Sequence, residues 1–488
     1  MKLFSAEQCQ QLDRTAIESW KIPGLLLMKR AAFGAFHTLQ AHWPNAQKVT
    51  LLCGTGNNGG DGLALAQYVL LAGMDVTVTI IGNPQNFKPD ARQVYDELIQ
   101  LGVTPVDFSK EVLDTDVIVD ALLGIGINKP ISGQLADIIQ AVNQSETPVL
   151  ALDIPTGVDA TTGSIYGCAI QADVTISFIA HKMGLYTGVG ADHIGEVVID
   201  DLKLPVALFH TTPNLADFHD LAFWKERLPA RATSAHKGSS GTALLIGGNH
   251  AMAGAIQLSA TAALRAGAGL VKVVTQNEHT GMLTEQQPEL MCYPTTRLDE
   301  LLPQANAIAI GPGLGLDDWA HNLLQQSLLY LQQHQTPAVL DADALKLLAK
   351  NPTFCLQNPH WVLTPHPGEA ADMLGCNTQD IQNDRISAIY KLHELYGGVV
   401  LLKGNGTLIF DGKHLELCPL GNPGMAVGGM GDVLTGMITS YLAQGSRQGL
   451  SLMDAACLGA YQHAAIADQV VETRNLTSLI PSDIIAGL

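Results

Sequence analysis

The chain has 488 residues, of which 47% are hydrophobic and 15% are charged. This composition supplies enough apolar material for large buried cores and excludes intrinsic disorder, and the length favours two or three domains. The formal net charge of −19 argues against nonspecific binding to nucleic acid or to an anionic membrane surface.

The eight cysteines are scattered along the chain and form no CxxC pair. This pattern favours neither a zinc site nor a disulfide framework. The N-terminal segment MKLFSAEQCQQLDRT lacks the apolar core of a signal peptide, and no window reaches about 18 consecutive apolar residues. We therefore expect a reduced, soluble, cytoplasmic protein with neither a membrane nor a nucleic acid as partner.

Short apolar runs alternate with helical patterns in the first half of the chain. The predicted strands are residues 48–53, 75–82, 116–124, 148–155 and 173–180, and the predicted helices are residues 62–74 and 91–102. Apolar strands that alternate with helices are typical of a parallel sheet covered by helices on both faces. The first half is therefore predicted to be an α/β domain.

The composition changes over residues 204–241, which are irregular and contain several prolines. We place a domain boundary there, near residues 212–222. A second α/β series follows, with predicted strands at 241–248, 270–275, 307–313, 338–343, 361–365 and 399–404, and predicted helices at 255–267 and from about 431 and 451.

The turn CGTGNNGGDG (53–62) follows the first predicted strand and contains glycines in GxGxxG spacing. Glycines allow close backbone approach, and the following helix start offers N–H groups to a phosphate. We place Asn57 and Asn58 in this loop. The next strand ends IIGN without an acid, which argues against the dinucleotide site of a dehydrogenase. A tight turn with Asp61 as helix cap is the alternative.

Further polar residues follow the other predicted strands. Asp120 precedes the loop 124–130, and Asp153 and Thr156 lie in LDIPTG. The carboxyl ends of parallel strands converge on one crevice, where Asn58, Asp120 and Thr156 could offer oxygen ligands to K⁺ or Mg²⁺. Asp153 would then be a candidate proton-transfer group. The alternative for each aspartate is a structural role, in which it stabilises a turn or caps a helix.

Four motifs of the first half, NNGGDG, GIGINKP, LDIPTG and HKMGL, resemble the YjeF N-terminal domain family, which is similar to epimerases of hydrated nicotinamide nucleotides. The resemblance covers most of residues 1–212 and implies a Rossmann-like three-layer domain. It implies a K⁺ site at Asn58, Asp120 and Thr156, and it assigns no role to His181. It also implies an NAD(P)HX site formed by Asn57, Asn58, Gly59, Gly60, Asp61, Gly124, Ile125, Gly126, Ile127, Asn128, Lys129, Pro130 and Asp153.

The segment GNPGMAVGGMGDVLTGMI (421–438) is the most informative part of the second half. Gly428, Gly429 and Gly431 lead into an apolar helix, and Asp432 lies at its start. Backbone N–H groups at such a start can stabilise a transferring phosphoryl group, and the carboxylate can take a proton from an acceptor hydroxyl. A glycine turn with Asp432 as N-cap is the alternative.

Two further loops follow predicted strands. KGNGT (403–407) offers a glycine-rich backbone cradle and the cation of Lys403, although N-G is also a hairpin signal. LTPHPGE (363–369) holds His366 between two prolines, which stiffen the loop. No Walker A motif or protein-kinase catalytic loop is present.

The ordered set GPGLG, LDADAL, LTPHPGE, KGNGT and GGMGD resembles the YjeF C-terminal domain, a ribokinase-like family of ADP- or ATP-dependent NAD(P)HX dehydratases. The resemblance covers residues 222–488 and implies a three-layer α/β/α domain. It implies contacts to ADP or AMP from Lys403, Gly404, Asn405, Gly406, Thr407 and Gly431. It implies contacts to the hydrated cofactor from Ala253, Gly313, His366 and Asp432.

The two halves in one chain resemble a bifunctional repair family. The expected activities are epimerisation of (R)- and (S)-NAD(P)HX, catalysed with Asp153, and dehydration of the S epimer to NAD(P)H, AMP and phosphate, catalysed with Asp432. The expected co-substrate is ADP with Mg²⁺, and a homo-oligomer is expected. The alternative is a ribokinase-like kinase for a vitamin precursor, with a non-catalytic nucleotide-binding first half.

Overall fold

The computed structural model describes residues 1–127, 129–351, 354, 357–445 and 449–488. The chain divides into two compact units, Met1–Ala216 and Asp217–Leu488. Each unit is an α/β domain with its own sheet and its own apolar core.

The first unit is built on a parallel sheet. Its strands are β1 (Lys2–Phe4), β2 (Lys48–Cys53), β3 (Asp75–Ile80), β4 (Val117–Ala121), β5 (Val149–Leu152), β6 (Val174–Phe178), β7 (His181–Lys182) and β8 (Glu196–Asp200). The main sheet has the order β3-β2-β4-β5-β6-β8, and β1 pairs in parallel with β7. The predicted parallel sheet is confirmed.

Helices cover both faces of this sheet. They are α1 (Ala6–Glu18), α2 (Gly24–His42), α3 (Asn57–Leu71), α4 (Pro89–Gln100) and α5 (Gln134–Gln144). Alternate strand residues enter two different cores: Leu51 joins the cluster formed with α1 to α4, whereas Leu52 joins the cluster formed with α5. This alternation is what a strand buried on both faces requires.

The start of α3 corrects one prediction. The helix begins at Asn57 with Gly56 as its N-cap residue. Asn57 and Asn58 therefore lie in the first helical turn, not in a loop, and Asp61 lies one turn inside the helix, not at its cap. Helix propensity predicted a later start because Asn and Gly are poor helix formers, whereas burial of this turn overrides that preference.

The strands of the second unit are β10 (Thr242–Ile246), β11 (Leu270–Thr275), β12 (Met291–Pro294), β13 (Ala307–Ile310), β14 (Ala338–Leu340), β15 (Trp361–Leu363), β16 (Val399–Leu402), β17 (Thr407–Phe410) and β18 (Leu415–Cys418). They follow the order β12-β11-β10-β13-β14-β15-β16-β17-β18. The pairs from β12 to β16 are parallel, and β16-β17-β18 is antiparallel. The short strand β9 (Ala216–Asp217) pairs with β18 through Asp217.

The helices of this unit are α6 (Leu221–Lys225), α7 (Ala253–Arg265), α8 (Asn277–Gln286), α9 (Leu298–Leu301), α10 (Asp318–Gln333), α11 (Asp343–Lys350), α12 (Pro367–Leu374), α13 (Thr378–Asn383), α14 (Arg385–Tyr396), α15 (Met430–Gly445), α16 (Leu452–Val471) and α17 (Pro481–Ala486). Helices α7, α15 and α16 share one apolar core with one face of the sheet. Gly436 lets α15 approach α7, because a Cβ there would overlap the carbonyl oxygen of Ser259.

Candidate active sites

A cavity of about 750 Å³ lies at the carboxyl ends of strands β2, β4 and β5 of the first unit. These strands are neighbours in a parallel sheet, so the residues that follow them meet at one edge. Gly59, Gly60, Lys129 and Pro130 do not line the cavity, and Asn128 lies outside the described residues. The predicted residues that line it are Asn57, Asn58, Asp61, Gly124, Ile125, Gly126, Ile127 and Asp153.

Gly59 and Gly60 contribute to the cavity indirectly, through the packing of α3. A Cβ at Gly59 would overlap the carbonyl oxygen of Gly54, and a Cβ at Gly60 would lie 2.8 Å from the Cβ of Ala91. A side chain at either position would push the helix start away from its neighbours. These glycines therefore allow α3 to begin directly beside the strand end.

Asp153 and Lys182 form an ion pair in this cavity, with 2.6 Å between Oδ1 and Nζ. The Lys182 side chain is only 1% exposed and also donates to Ser177 Oγ (2.7 Å) and to the carbonyl oxygen of Phe178 (3.0 Å). Asp153 has a φ of 69°, a left-handed conformation that is uncommon for a residue with a side chain. Strain of this kind is characteristic of functional sites.

Lys182 was not among the residues predicted for the site. The motif HKMGL contains it, but a lysine within a buried strand gives no sequence signal of its partner. Only the tertiary structure brings its ammonium group to the Asp153 carboxylate.

Two more carboxyl groups of the cavity carry perturbed pKa values. Burial raises the pKa of Asp61 well above its ordinary value, and the charges of Asp153 and Asp13 raise it further. The pKa of Asp13 is raised by burial and then by Asp153. Burial therefore favours the protonated form of Asp61, which can donate a hydrogen bond into the cavity. The sequence analysis also did not predict Asp13 as a site residue, because it lies in α1, far from the glycine motifs in sequence.

The three residues predicted to bind a cation are linked through Leu123. Asn58 Nδ2 donates to the Leu123 carbonyl oxygen (3.1 Å), and the Leu123 N–H donates to Thr156 Oγ1 (3.0 Å). Thr156 Oγ1 in turn donates to Asp120 Oδ1 (2.7 Å). Burial raises the Asp120 pKa to about 6, although hydrogen bonds from Thr156 and Leu122 oppose the shift.

Asn58 Oδ1 is the unusual atom of this group. It is buried and has no hydrogen-bond partner among the described residues. Burying an acceptor without a partner costs about 1–3 kcal/mol, which a cation would offset. No cluster of three or more histidine, cysteine or acidic side chains that suits a metal exists in the described part of the chain. A hard cation that binds oxygen ligands without a strict coordination geometry fits this donor set better than a transition metal.

The second unit collects charged groups where strands β14, β15 and β16 end. The Lys403 ammonium lies 2.9 Å from Asp341 Oδ1 and 3.9 Å from Glu369 Oε2. Asp341 also accepts hydrogen bonds from Thr364 (2.9 Å) and Thr435 (2.7 Å). Burial lowers the Lys403 pKa, but the Asp341 and Glu369 carboxylates outweigh burial and raise it overall. Lys403 thus carries a fixed positive charge at the predicted nucleotide site.

Asp432 lies in the first turn of α15, close to this charged group. Burial raises its pKa to about 7, the charge of Asp341 adds to the shift, and Lys403 opposes it. A carboxyl group with this pKa exchanges a proton readily near neutral pH, as general acid–base catalysis requires. The alternative role as N-cap does not hold, because the helix already begins at Met430.

Gly431 lies between the helix start and the charged group. A Cβ at this position would be 3.2 Å from Lys403 Nζ and 3.6 Å from Asp341 Oδ2. A side chain would therefore fill the space between the Lys403 ammonium and the N–H groups at the start of α15, two features that both favour an anion.

His366 is the N-cap residue of α12. Its Nδ1 accepts hydrogen bonds from the N–H groups of Gly368 (3.0 Å) and Glu369 (3.3 Å), and Glu369 accepts from the His366 N–H (2.9 Å). These bonds fix the ring with its proton on Nε2. Burial lowers the His366 pKa, although Glu369 opposes the shift. The ring is thus a neutral, oriented hydrogen-bond donor.

The loop GPGLG lies against the segment that precedes α7. The N–H of Asn249 donates to the Gly313 carbonyl oxygen (2.7 Å), and Gly313 has a φ of 58°. A Cβ on Gly313 would lie 3.0 Å from the Met252 Cβ, directly beside Ala253 at the start of α7. The predicted contact residues Gly313 and Ala253 therefore belong to one surface.

The loop KGNGT joins β16 to β17 in an antiparallel hairpin, as its N-G signal allowed. Gly404 and Gly406 have φ values of 145° and 64°, which a residue with a side chain would rarely adopt. The hairpin interpretation and the ligand-loop interpretation are therefore compatible, because the turn carries Lys403 to Asp341.

Two family models match the chain. The model of the YjeF-related protein N-terminus matches residues 24–184, and the model described as NAD(P)H-hydrate dehydratase matches residues 243–487. No helix among the described residues combines the length and apolar character needed to cross a bilayer.

Curated relatives match over both units. The bifunctional NAD(P)H-hydrate repair enzyme Nnr of Coxiella burnetii is 42% identical, and the match covers 100% of this chain and 98% of the relative. The proteins of the same name from Vibrio cholerae and Escherichia coli are each 38% identical, with coverage of 99% and 100% of this chain and 97% and 93% of the relatives.

Solved structures resemble the second unit. A hypothetical protein from Streptococcus mutans has a TM-score of 0.51 at 29% identity, and the match covers 56% of this chain and 97% of that chain. A ribokinase-like superfamily protein from Enterococcus faecalis has a TM-score of 0.51 at 30% identity, with 56% and 93% covered. The predicted ribokinase-like fold of the second half is confirmed.

Proposed function

The chain belongs to the family of bifunctional NAD(P)H-hydrate repair enzymes, and from this premise we propose how its two units share the repair reaction. Residues 1–212 epimerise NAD(P)HX, and residues 222–488 dehydrate the S epimer with ADP. The observation that carries the proposal is the 42% identity over the whole chain. The Asp153–Lys182 pair and the buried Asp432 beside Lys403 supply matching chemistry in the two units.

Dehydration has to remove a hydroxyl group from C6 of the nicotinamide ring, and hydroxide is a poor leaving group. We propose that the Asp432 carboxylate takes the hydroxyl proton while the oxygen attacks the β-phosphorus of ADP, releasing AMP. The C6–O bond then breaks with phosphate as leaving group, and loss of the C5 proton restores the 5,6 double bond. Lys403 and the N–H groups at the start of α15 stabilise the transferring phosphoryl group.

We assign the ligand contacts of this unit as follows. The adenine nucleotide, accompanied by Mg²⁺, contacts Lys403, Gly404, Asn405, Gly406, Thr407 and Gly431. The hydrated cofactor contacts Ala253, Gly313, His366 and Asp432. The charge of Lys403 and the oriented Nε2–H of His366 support these two assignments.

Epimerisation has to invert C6, which carries both the hydroxyl group and the ring nitrogen N1. We propose that Asp153 takes the hydroxyl proton as the C6–N1 bond opens to an aldehyde, with the electron pair returning to N1 and its conjugated carboxamide. Reclosure on the opposite face of the aldehyde, with return of the proton, gives the other epimer. The Lys182 ammonium, 2.6 Å from Asp153 Oδ1, holds the carboxylate in place for this role.

We assign the remaining contacts of the epimerase to the residues predicted from the sequence. NADHX or NADPHX contacts Asn57, Asn58, Gly59, Gly60, Asp61, Gly124, Ile125, Gly126, Ile127, Asn128, Lys129, Pro130 and Asp153. The raised pKa of Asp61 supports this assignment, since a protonated carboxyl group can donate a hydrogen bond to an oxygen of the substrate.

We propose that Asn58, Asp120 and Thr156 hold K⁺, and the partnerless Asn58 Oδ1 supports this role. The ion would offset negative charge of the bound dinucleotide near this edge of the sheet. Replacement of K⁺ by tetramethylammonium should slow epimerisation and lower the melting temperature of wild type. The same exchange should have little effect on Thr156→Val, and an equal response of both proteins would exclude the site.

Two finer expectations, a homo-oligomer and a cytoplasmic location, stay predictions. Sedimentation velocity of the full-length protein tests the first, and fractionation of cells that express it tests the second.

The test of the proposed function mixes the full-length protein with both epimers of NADHX, ADP, Mg²⁺ and K⁺, and follows the return of dihydronicotinamide absorbance. Recovery of nearly all the cofactor is the expected result. Recovery that stops at the S fraction would contradict the epimerase assignment. No recovery with ADP or ATP would favour the alternative function, a kinase for a vitamin precursor.

A further inference from the structure

Arg385 is a buried cation beneath the nucleotide loop of the second unit. It is the first residue of α14, and only 1% of the residue is exposed. No carboxylate among the described residues lies within ion-pair distance of it, and burial alone lowers its pKa, to about 10. The guanidinium therefore keeps its charge at neutral pH. A buried charge without a counter-ion is costly, and proteins retain it where it has a task.

Among the described residues, the Arg385 guanidinium donates its hydrogen bonds only to the loop KGNGT and to the end of the strand before it. Nη1 donates to the Asn405 carbonyl oxygen (3.0 Å), and Nη2 donates to the carbonyl oxygens of Leu402 (3.1 Å) and Gly406 (3.1 Å). Nε is buried without a partner in the described part of the chain. A Cβ at Gly404 would overlap Nη1, so the guanidinium packs directly against the loop backbone.

These bonds decide which way the loop peptides face. In a trans peptide the carbonyl and the N–H point in opposite directions. Because three carbonyl groups point at Arg385, the N–H groups of the same peptides point away from it. The N–H of Lys403, which follows Leu402, follows this rule, since it donates to the Pro365 carbonyl oxygen on the next strand end (2.9 Å).

We propose that Arg385 is a positioning residue for the nucleotide: it fixes the backbone of the 403–407 loop, which carries Lys403, and adds its uncompensated charge to the attraction of the phosphates. The proposal rests on the assignment of this loop to ADP under the proposed function. The charge acts through the loop without touching the ligand, because a low-dielectric interior screens it weakly. A bound diphosphate supplies the counter-charge that the described residues lack.

The experiment measures binding of ADP, AMP and adenosine to the full-length protein by calorimetry, together with dehydration kinetics. Arg385→Gln removes the charge but keeps an amide donor. Arg385→Lys keeps the charge but loses the planar guanidinium, whose two terminal nitrogens bind the loop carbonyls. Lys391→Met is the matched control, since it removes a positive charge from an exposed position of the same helix. The epimerase activity of each variant reports whether the rest of the chain is intact.

Arg385→Gln should weaken ADP about tenfold or more, AMP less and adenosine least. The KM for ADP should rise more than kcat falls, and the KM for the hydrated cofactor should stay unchanged. Arg385→Lys should preserve the ratio of ADP to adenosine affinity, and Lys391→Met should behave as wild type.

Equal weakening of all three ligands by Arg385→Gln, or no weakening, would overturn the proposal. If this variant does not fold, Gly404→Ala tests the same contact from the loop side, and unchanged ADP affinity there would overturn it as well. Failure of the wild type to bind ADP or to dehydrate NAD(P)HX is a different result, because it counts against the proposed function itself.

Discussion

Asp153 combines three features that a structural aspartate does not need. It has a left-handed backbone, it pairs with a buried lysine, and it lines a cavity whose other acids include Asp13 and Asp61. The lysine and the acids oppose each other electrostatically. Lys182 Nζ lies 2.6 Å from Asp153 Oδ1, while burial raises the pKa of Asp61 and favours its protonated form. We predict that Asp153 accepts a proton in this cavity and that Asp61 donates a hydrogen bond there.

Asp153→Asn removes the proton acceptor with little change of volume. We expect conversion of the R epimer to fall by about a hundredfold or more, and dehydration of the S epimer to remain unchanged. The assay follows each epimer separately by chromatography. Asp137→Asn, an exposed acid on α5, is the matched control and should have no effect. Full R-to-S conversion by Asp153→Asn would remove Asp153 from catalysis.

We predict that Asp432 makes the dehydratase pH-dependent. A proton acceptor has to be ionised, and its pKa is raised to about 7. The value of kcat/KM should therefore fall as the pH drops below about 7 and reach a plateau above it. Asp432→Asn should be slower by about a hundredfold or more and should lose this acidic limb. An unchanged acidic limb in the variant would assign the titration to a group other than Asp432.

At the scale of elements, the first turns of helices α3 and α15 bring backbone N–H groups next to candidate site residues. Each helix begins within a glycine-rich segment, α3 directly after the end of β2 and α15 beside Lys403, so the N–H groups of each first turn lie next to a candidate site. In both helices the glycines have steric tasks: Gly59 avoids the backbone of Gly54, and Gly431 leaves space beside Lys403. Substitution of Gly59 should therefore destabilise the first unit, whereas substitution of Gly431 should affect ligand binding more than stability.

Gly431→Ala tests this separation. Alanine favours helix, so the free energy of unfolding should stay the same or rise by up to about 1 kcal/mol. The new Cβ would lie 3.2 Å from the Lys403 ammonium, and the KM for ADP should rise by about tenfold or more. Gly281→Ala on α8, where a Cβ meets open space, is the control for the helix effect. A variant that loses stability instead would show that the conformation of Gly431, not its space, matters.

At the scale of the molecule, the two units perform consecutive steps on a substrate that can leave the protein. The product of the first unit, the S epimer, is the substrate of the second. Nothing in the chemistry requires both steps within one chain, because each unit has its own strand-end site and its own core. Fusion guarantees that the two activities are made in equal amounts.

A mixture of two inactivated chains should therefore recover the function. Asp153→Asn alone should repair the S fraction at the wild-type rate and the R fraction about a hundredfold or more slowly, and Asp432→Asn alone should repair both epimers about a hundredfold or more slowly. Equimolar amounts of both should restore NADH from both epimers at a rate close to that of the wild type. Incomplete recovery from the R epimer by the mixture, with each variant active in its own half-reaction, would indicate direct transfer between units.

The sequence by itself determined the α/β class of both halves, the strands that carry the sites and most of the candidate residues. It could do so because these signals are local: apolar runs, glycine turns and the polar residues that follow them. It placed the start of α3 too late, since local propensity does not include the burial of Asn58 and Gly59. It also missed the strands β1, β7, β8, β9, β12, β17 and β18, all of which are short.

The tertiary structure alone decided which distant groups meet. Lys182 reaches Asp153, Asp341 holds Lys403 across 62 residues of sequence, and Arg385 supports the nucleotide loop. Burial, which depends on the whole fold, raises the pKa of Asp432 to about 7 and makes this aspartate suited to catalysis. Motifs show where the chemistry lies in the chain, whereas packing sets the charge and the orientation of each group.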